Sequence, residues 1–133
     1  NDIIGRDGIK VLDNSNYLVL SALWDNGNIV NAGAVTWGNG SIGISGVVNS
    51  FNSLVGTTND DVVGLGNVTV LKNNNYVVSS PYWDNGSIAN VGAVTAGSGV
   101  TGISGAVNSS NSLIGSTKND FVGSGKVTPP PAM

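Results

Sequence analysis

Two tryptophans, each followed by the same two polar residues, are the side chains best suited by type and spacing to hold a ligand. Trp24, Asp25 and Asn26 recur 59 residues later as Trp83, Asp84 and Asn85. An indole face can stack on a sugar ring while the carboxylate and the amide bind its hydroxyls. In the competing interpretation, each tryptophan packs between structural repeats and the polar residues turn the chain. We favour packing, because an aromatic residue that recurs in a repeat protein more often fills the interface between repeats.

Enzymatic chemistry has little support in the composition. The 133 residues include no His, Cys, Glu or Gln, so the usual general base and thiol nucleophile are missing. Asp25 and Asp84 have the residue type of a glycosidase carboxylate pair. They occupy equivalent positions in a duplicated sequence, however, and therefore recur as a structural feature. We predict that the protein is not an enzyme.

Charge and hydropathy argue against two further classes of partner. The formal net charge is −3 and the five basic residues are scattered, whereas an electrostatic nucleic-acid site needs clustered Lys and Arg. No run approaches the roughly 18 apolar residues of a membrane helix. We therefore expect neither nucleic-acid binding nor membrane insertion.

The candidate residues lie in a 59-residue unit that the chain contains twice. Val11–Gly64 aligns with Val70–Gly123 without a gap, and 34 of the 54 aligned positions are identical. A fixed period of this size predicts a repeat architecture in which each unit buries apolar surface against its neighbours. We divide the chain into a first unit over residues 1–60, a second over 61–119, the start of a third over 120–128 and a Pro-rich tail over 129–133.

A short Asp-x-(Ile/Val)-Gly element marks the unit boundaries. It begins at Asp2, Asp61 and Asp120. These carboxylates could act as ligands, but we favour turn caps, since Asp side chains accept hydrogen bonds from nearby backbone amides.

Short strands joined by tight turns are the predicted elements that position these residues. Gly, Asn, Ser, Thr and Val dominate, strong helix formers are sparse, and the apolar runs are short. In the second unit strands are expected over 68–71, 76–79 and 92–96 and in the region 102–115, with equivalents in the first. Asn26-Gly27, Asn39-Gly40 and Asn85-Gly86 are expected to form type I′ hairpin turns.

Four strands in about 59 residues predict an all-β chain of tandem four-stranded antiparallel blades of the β-propeller type. A β-solenoid is the alternative, since 59 residues are close to three coils of about 20 residues.

The repeats resemble integrin-type (FG-GAP-like) β-propeller blades. The resemblance rests on an apolar strand ending in Ser80-Pro81, the loop at Trp83-Asp84-Asn85-Gly86 and the strand Gly92-Ala93-Val94-Thr95. The units are also similar to repeats of large bacterial surface and adhesin-like proteins. The resemblance implies a bacterial cell-surface or extracellular location.

Integrin-type blades often carry a calcium loop, and this chain departs from that pattern. Asp13-Asn14-Ser15-Asn16 is its closest approach, and Lys72 replaces the Asp in the second unit. Calcium needs several oxygen ligands, usually with multiple carboxylates. We expect an Asn-rich turn and no cofactor, because Asn tolerates left-handed backbone conformations.

Two functional hypotheses follow. The first is a non-catalytic structural or adhesive repeat module of a bacterial extracellular surface protein or fibre, with copies of itself or adjacent repeats as partners. An unfinished third unit favours it. The alternative is a carbohydrate-binding, lectin-like module that assembles as an oligomeric propeller and binds glycans at the two tryptophan loops. It requires exposed indoles at Trp24 and Trp83.

Overall fold

Residues 2–125 form nine short strands and no helix in the computed structural model, which describes this part of the chain. Residues 126–128 of the expected third unit and the Pro-rich tail lie outside the described residues. The strands are β1 (Ile9–Val11), β2 (Tyr17–Ser21), β3 (Ala34–Gly38), β4 (Ser53–Val55), β5 (Asn67–Val70), β6 (Tyr76–Ser80), β7 (Ala93–Gly97), β8 (Gly105–Ala106) and β9 (Ser112–Ile114).

Each repeat folds into one open antiparallel sheet with strands in chain order. The first sheet runs β1-β2-β3-β4, and the second runs β5-β6-β7-β9. The registers are equivalent, since Val19 lies opposite Ile9 and Val78 lies opposite Val68. One strand of the second repeat, β8, adds to the edge of the first sheet by pairing in parallel with β4. The all-β prediction is confirmed, and each repeat contributes four antiparallel strands.

The two faces of each sheet carry different side chains. In an antiparallel pair, residues directly opposite each other share a face. We call one face of repeat 1 the forward face; it carries Leu18 opposite Trp37, and Val35 opposite both Leu20 and Leu54. The other is the rear face, with Tyr17, Val19, Thr36 and Ser53. The equivalent rear face of repeat 2 carries Tyr76, Val78, Thr95 and Ser112.

The main hydrophobic core lies between the forward face of repeat 1 and the rear face of repeat 2. Both sheets supply buried side chains to one continuous cluster, which includes Leu18, Leu20, Val35 and Leu54 from the first repeat and Val63, Tyr76, Val78 and Val107 from the second. Gly64 lies within it, with Val35 and Val78 on either side. The repeats therefore share the main core.

The loop turns differ from the prediction. Asn26 and Ile29 exchange two backbone hydrogen bonds of 2.9 Å, so that Gly27 and Asn28 are the central residues of the turn. Only Gly27 of these two has a positive φ, 61°, which is the pattern of a type II′ turn rather than type I′. The second repeat is equivalent, with φ of 60° at Gly86.

The expected hairpin at Asn39-Gly40 is also wrong, because neither residue has a positive φ. A longer loop closes there through the Gly43 N–H, which donates to the Asn39 carbonyl at 2.7 Å.

Within residues 2–125, no helix is long and apolar enough to cross a membrane.

Candidate functional site: the interface between repeats

Both candidate sugar-stacking tryptophans lie in the interior. Trp83 is 3% exposed and belongs to the main core, whereas Trp24 is 6% exposed and packs in a smaller cluster with Ala32, Ala34 and Val55. A sugar platform needs an open indole face, and neither residue offers one in this structure. The Trp83 indole N–H is buried and has no hydrogen-bond partner among the described residues.

The polar residues after each tryptophan hold the loop together. Asp25 Oδ1 accepts the Asn31 N–H at 2.9 Å, and Asp84 Oδ1 accepts the Asn90 N–H at 2.8 Å. Asn26 Nδ2 donates to the Gly56 carbonyl at 3.1 Å. Asn85 repeats the backbone turn of Asn26, in which Asn85 and Ile88 exchange two bonds of 3.0 Å. The side-chain oxygens of Asp25 and Asp84 thus satisfy backbone donors of their own loops.

The boundary element joins the two repeats by hydrogen bonds to both. The Val62 and Val63 N–H groups donate to the Asn31 and Ala32 carbonyls of repeat 1. On the other side, Asp61 Oδ1 accepts the Asp84 N–H at 2.9 Å.

The expected role of Asp61 as a turn cap is confirmed, because its Oδ2 accepts the Thr57 and Thr58 N–H groups at 3.0 Å each. Asp120 caps its turn in the same way, through Ser116 and Thr117.

Asp61 is fully buried at this junction. Burial disfavours the charged carboxylate and raises its pKa from 3.8 to about 6, although the three backbone N–H donors oppose that shift. Asp2 and Asp120, its counterparts at the two ends of the described chain, are both exposed. The environment of the carboxylate therefore depends on whether repeats lie on both sides of it.

Three side chains of repeat 1 converge on one carbonyl of repeat 2. The Gly99 oxygen accepts the Asn14 and Asn16 side-chain amides at 3.0 and 2.8 Å, and the Trp37 indole N–H at 3.0 Å. Trp37 packs so closely on Gly102 that a Cβ there would lie 2.5 Å from the Trp37 Cβ. The Asn-rich turn thus acts as a hydrogen-bond donor toward the next repeat.

The parallel pair of β4 and β8 completes the interface. Leu54 lies opposite Gly105 and Val55 opposite Ala106. The Val107 N–H extends this ladder by donating to the Val55 carbonyl at 3.1 Å. A core, an indole contact, a strand pair and the Asp61 junction therefore connect the two repeats.

Residues that are covered in repeat 2 are open in repeat 1, where none of residues 2–125 forms a repeat over the rear face. Val63 and Val68 are 0% and 2% exposed, while their counterparts Ile4 and Ile9 are 52% and 61% exposed. A groove of ≈ 210 Å³ lies on this rear face, lined in part by Ile4, Tyr17, Val19, Ile44 and Val48.

A second shallow groove lies beside the Tyr82 and Phe121 rings, whose centroids are 5.8 Å apart. Its lining residues Pro81, Tyr82 and Phe121 have no equivalents of the same type in repeat 1.

Residues 2–125 contain no group of three or more His, Cys, Asp or Glu side chains that could hold a metal ion. The Asn14 and Asn16 side chains of the calcium-like turn donate their amide N–H groups instead.

The residues that form the interface between repeats do not stand out as a repeated motif in the sequence. Trp37 does not recur, because its counterpart is Ala96, so a comparison of repeated residues misses it. The signal that could have revealed it was the pattern of differences on alternate strand positions: Leu18, Leu20 and Trp37 become Val77, Ser79 and Ala96, all on one face of the sheet.

The repeat unit seen in this structure corresponds to a described protein family. The model of a repeat of unknown function (DUF5650) matches residues 11–65 and again residues 70–124. The chain belongs to this family. Each DUF5650 match begins at the last residue of the first strand of a sheet and ends one residue beyond the boundary element. Comparisons with curated proteins and with solved structures found no match.

Proposed function

We propose that this DUF5650 chain is a non-catalytic structural repeat module that builds an extended or ring-shaped array by stacking its sheets face to face. The observation that carries the proposal is the core shared by the two repeats. Leu54 of repeat 1 and Val78 of repeat 2 are both 0% exposed within that core. The apolar face of each sheet in this core is buried against the other repeat, which is the property of repeat arrays.

The sheet order supports blades of the β-propeller type as the form of this array. Each repeat is a four-stranded antiparallel meander, and consecutive sheets pack face to face. Both sheets are open, and the described chain has two of them. A ring would need further repeats, supplied by the same chain or by other copies.

An extracellular or bacterial cell-surface role in adhesion or in a fibre is the setting that we propose for such an array. The support is the composition and the resemblance of the repeats to those of bacterial surface proteins. Charged residues make up only 10% of the sequence, which suits close lateral packing. The buried indoles of Trp24 and Trp83 favour this structural role over sugar binding.

A glycan array probed with the labelled full chain tests the assignment. A structural module should show no saturable glycan binding. Saturable binding that is lost in Asp25→Ala and Asp84→Ala variants, with unchanged unfolding midpoints, would replace the structural assignment by the lectin alternative. Asp7→Ala serves as the control for loss of a loop carboxylate, because Asp7 Oδ2 likewise accepts a backbone N–H, that of Ala22, at 2.8 Å.

A further inference from the structure

The rear face of repeat 1 keeps the side chains that form the buried interface in repeat 2. Tyr17, Val19, Thr36, Ser53 and Ile44 are identical to their counterparts Tyr76, Val78, Thr95, Ser112 and Ile103. The counterparts Tyr76 and Val78 are 1% and 0% exposed, because repeat 1 covers them. Repeat 1 thus has a complete rear face without an occupant in residues 2–125.

An opening for an indole lies on that rear face. At the observed interface, Trp37 rests on Gly102 and donates to the Gly99 carbonyl. The equivalent residues of repeat 1 are Gly43 and Gly40. A Cβ built on Gly43 would find no atom closer than Tyr17 Oη at 3.9 Å, and no side chain of residues 2–125 donates to the Gly40 carbonyl. Gly43 and Gly40 therefore repeat the arrangement that binds Trp37 at the observed interface, with open space where the indole would lie.

The boundary element of repeat 1 already has the backbone conformation of a junction. Ile3 has φ of 46°, close to the 43° of its counterpart Val62. Positive φ is a strained conformation for a β-branched residue. At Val62 it directs the N–H to the Asn31 carbonyl of the preceding repeat. Ile3 adopts the same conformation without that acceptor.

An unpaired strand segment completes the surface. Gly105–Ala106 forms β8 by pairing with β4 of the preceding repeat, whereas the equivalent residues Gly46 and Val47 pair with no strand in the described chain. Val47 is 79% exposed.

The forward face of repeat 2 is a poor complement to this surface. Val77, Ser79 and Ala96 replace Leu18, Leu20 and Trp37 there, so the face is smaller and lacks the indole. We call it the reduced face; it remains apolar at its surface, since the one polar replacement, Ser79, is 1% exposed and Leu113 is 71% exposed. A second copy of this chain stacked head to tail would therefore leave the indole space unfilled.

We propose that the rear face of repeat 1 docks a further DUF5650 repeat whose forward face resembles that of repeat 1, with Leu, Leu and Trp at the positions of Leu18, Leu20 and Trp37. This inference rests on the proposed function, since it names the partner of the same stacking interface. It assigns a direction to the array: the large forward faces of preceding repeats meet rear faces like that of repeat 1.

Two extended chains test this proposal on the full protein. In the first, residues 2–60 are inserted directly before Asp2, and in the second, residues 61–119 are inserted there. Both keep the 59-residue period, but the added repeat presents Leu18, Leu20 and Trp37 in the first chain and the reduced face in the second. Thermal unfolding is measured together with amide hydrogen exchange of the original Ile4 and Val48, whose counterparts Val63 and Val107 donate across the observed interface.

The first chain should unfold about 5–10 °C above the second, because a large apolar contact and an indole hydrogen bond are present only there. Exchange at Ile4 and Val48 should slow by at least roughly 10-fold in the first chain relative to the original protein. Ser79→Leu and Ala96→Trp in the added repeat of the second chain should raise its midpoint toward that of the first. This rescue keeps the test decisive if the first chain fails to fold.

Equal midpoints and equal protection in the two chains, without rescue, would overturn the specificity for a Leu- and Trp-bearing face while leaving stacking intact. No protection at Ile4 and Val48 in either chain would overturn the proposed stacking function and this inference together. In the original protein, light scattering that shows head-to-tail oligomers at micromolar concentration would also overturn it, since the reduced face would then be a sufficient partner.

Discussion

The Trp37 indole N–H of the first repeat donates to the Gly99 carbonyl of the second, with the Nε1 and O atoms 3.0 Å apart. The two residues are separated by 62 positions in the sequence. This contact connects the C-terminal end of β3 to the loop between β7 and β8. Ala96, the counterpart of Trp37 in the second repeat, has no indole. The stability of the pair of repeats is therefore expected to depend on residues that differ between them.

Replacement of Trp37 should destabilise the whole two-repeat unit. Trp37→Ala removes the indole contact with Gly102 and is expected to lower the free energy of unfolding by about 2–4 kcal/mol. Trp37→Phe keeps an aromatic ring but loses the donor to Gly99, at a cost of about 1 kcal/mol. Urea unfolding measures both. Phe51→Ala is the control, since Phe51 is 92% exposed, and an equal loss there would contradict the interface role of Trp37.

Equivalent leucines should respond very differently to the same substitution. Leu54 is 0% exposed beneath repeat 2, whereas Leu113 is 71% exposed on the forward face of repeat 2. Leu54→Ala is expected to cost about 2–5 kcal/mol, because it opens a cavity in the shared core. Leu113→Ala should stay within about 0.5 kcal/mol of the parent protein. Chemical denaturation of the two variants provides the comparison, and similar losses would show that the sheets do not share a core.

Asp61 should make the protein less stable as the pH rises between about 4 and 6. Its pKa is about 6 in the folded state against 3.8 ordinarily, so the folded state holds a proton that the unfolded chain releases over this interval. The folded state is therefore favoured at the acid end, and that advantage is lost as the pH passes the folded-state pKa.

Asp61→Asn should flatten this part of the stability profile, since Asn keeps an oxygen acceptor and does not titrate. Unfolding midpoints measured from pH 4 to pH 7 test the effect. Asp120→Asn, at the exposed counterpart, should leave the slope in place. A slope unchanged by Asp61→Asn would place the titrating group elsewhere.

The Tyr76 hydroxyl should contribute to stability, whereas that of Tyr17 should not. Tyr76 Oη accepts the Ile103 N–H at 3.1 Å, and burial raises the pKa of this phenol to about 12. Tyr76→Phe leaves the Ile103 N–H without its acceptor in a half-buried position, at an expected cost of about 1–3 kcal/mol.

Tyr17→Phe is the matched control, because no hydrogen bond joins Tyr17 to Ile44 in the described chain. It should change the free energy of unfolding by less than about 0.5 kcal/mol. Equal effects in the two variants, measured by urea unfolding, would mean that the Ile103 contact contributes nothing.

Much of the architecture was predictable because it depends on local chemistry. The short β-branched runs, the Gly and Asn turns and the 59-residue period together indicated two units of four strands, and the strands lie close to the predicted positions. The turn at Asn26-Gly27 was assigned one residue out of register. Sequence alone shows that Gly27 favours positive φ, but the backbone pairing of Asn26 with Ile29 decides which residues are central.

The candidate site was harder to predict, because burial depends on neighbouring repeats. The repeated Trp-Asp-Asn motif at Trp24 and Trp83 is the same whether the indoles are exposed or buried. The sequence therefore favoured packing but did not decide it. Trp37 does not recur, since its counterpart is Ala96, yet it makes the contact to Gly99.

By itself, the sequence determined the repeat, the strand content and the absence of His and Cys, since these follow from residue types and their spacing. Only the tertiary structure decided which copy of each residue is covered. Leu54 and Leu113 are the same residue in the same local sequence, and one is buried while the other is exposed. The physical reason is that apolar burial is a property of the neighbouring surface, and only one of these leucines has a repeat in front of it in the described chain.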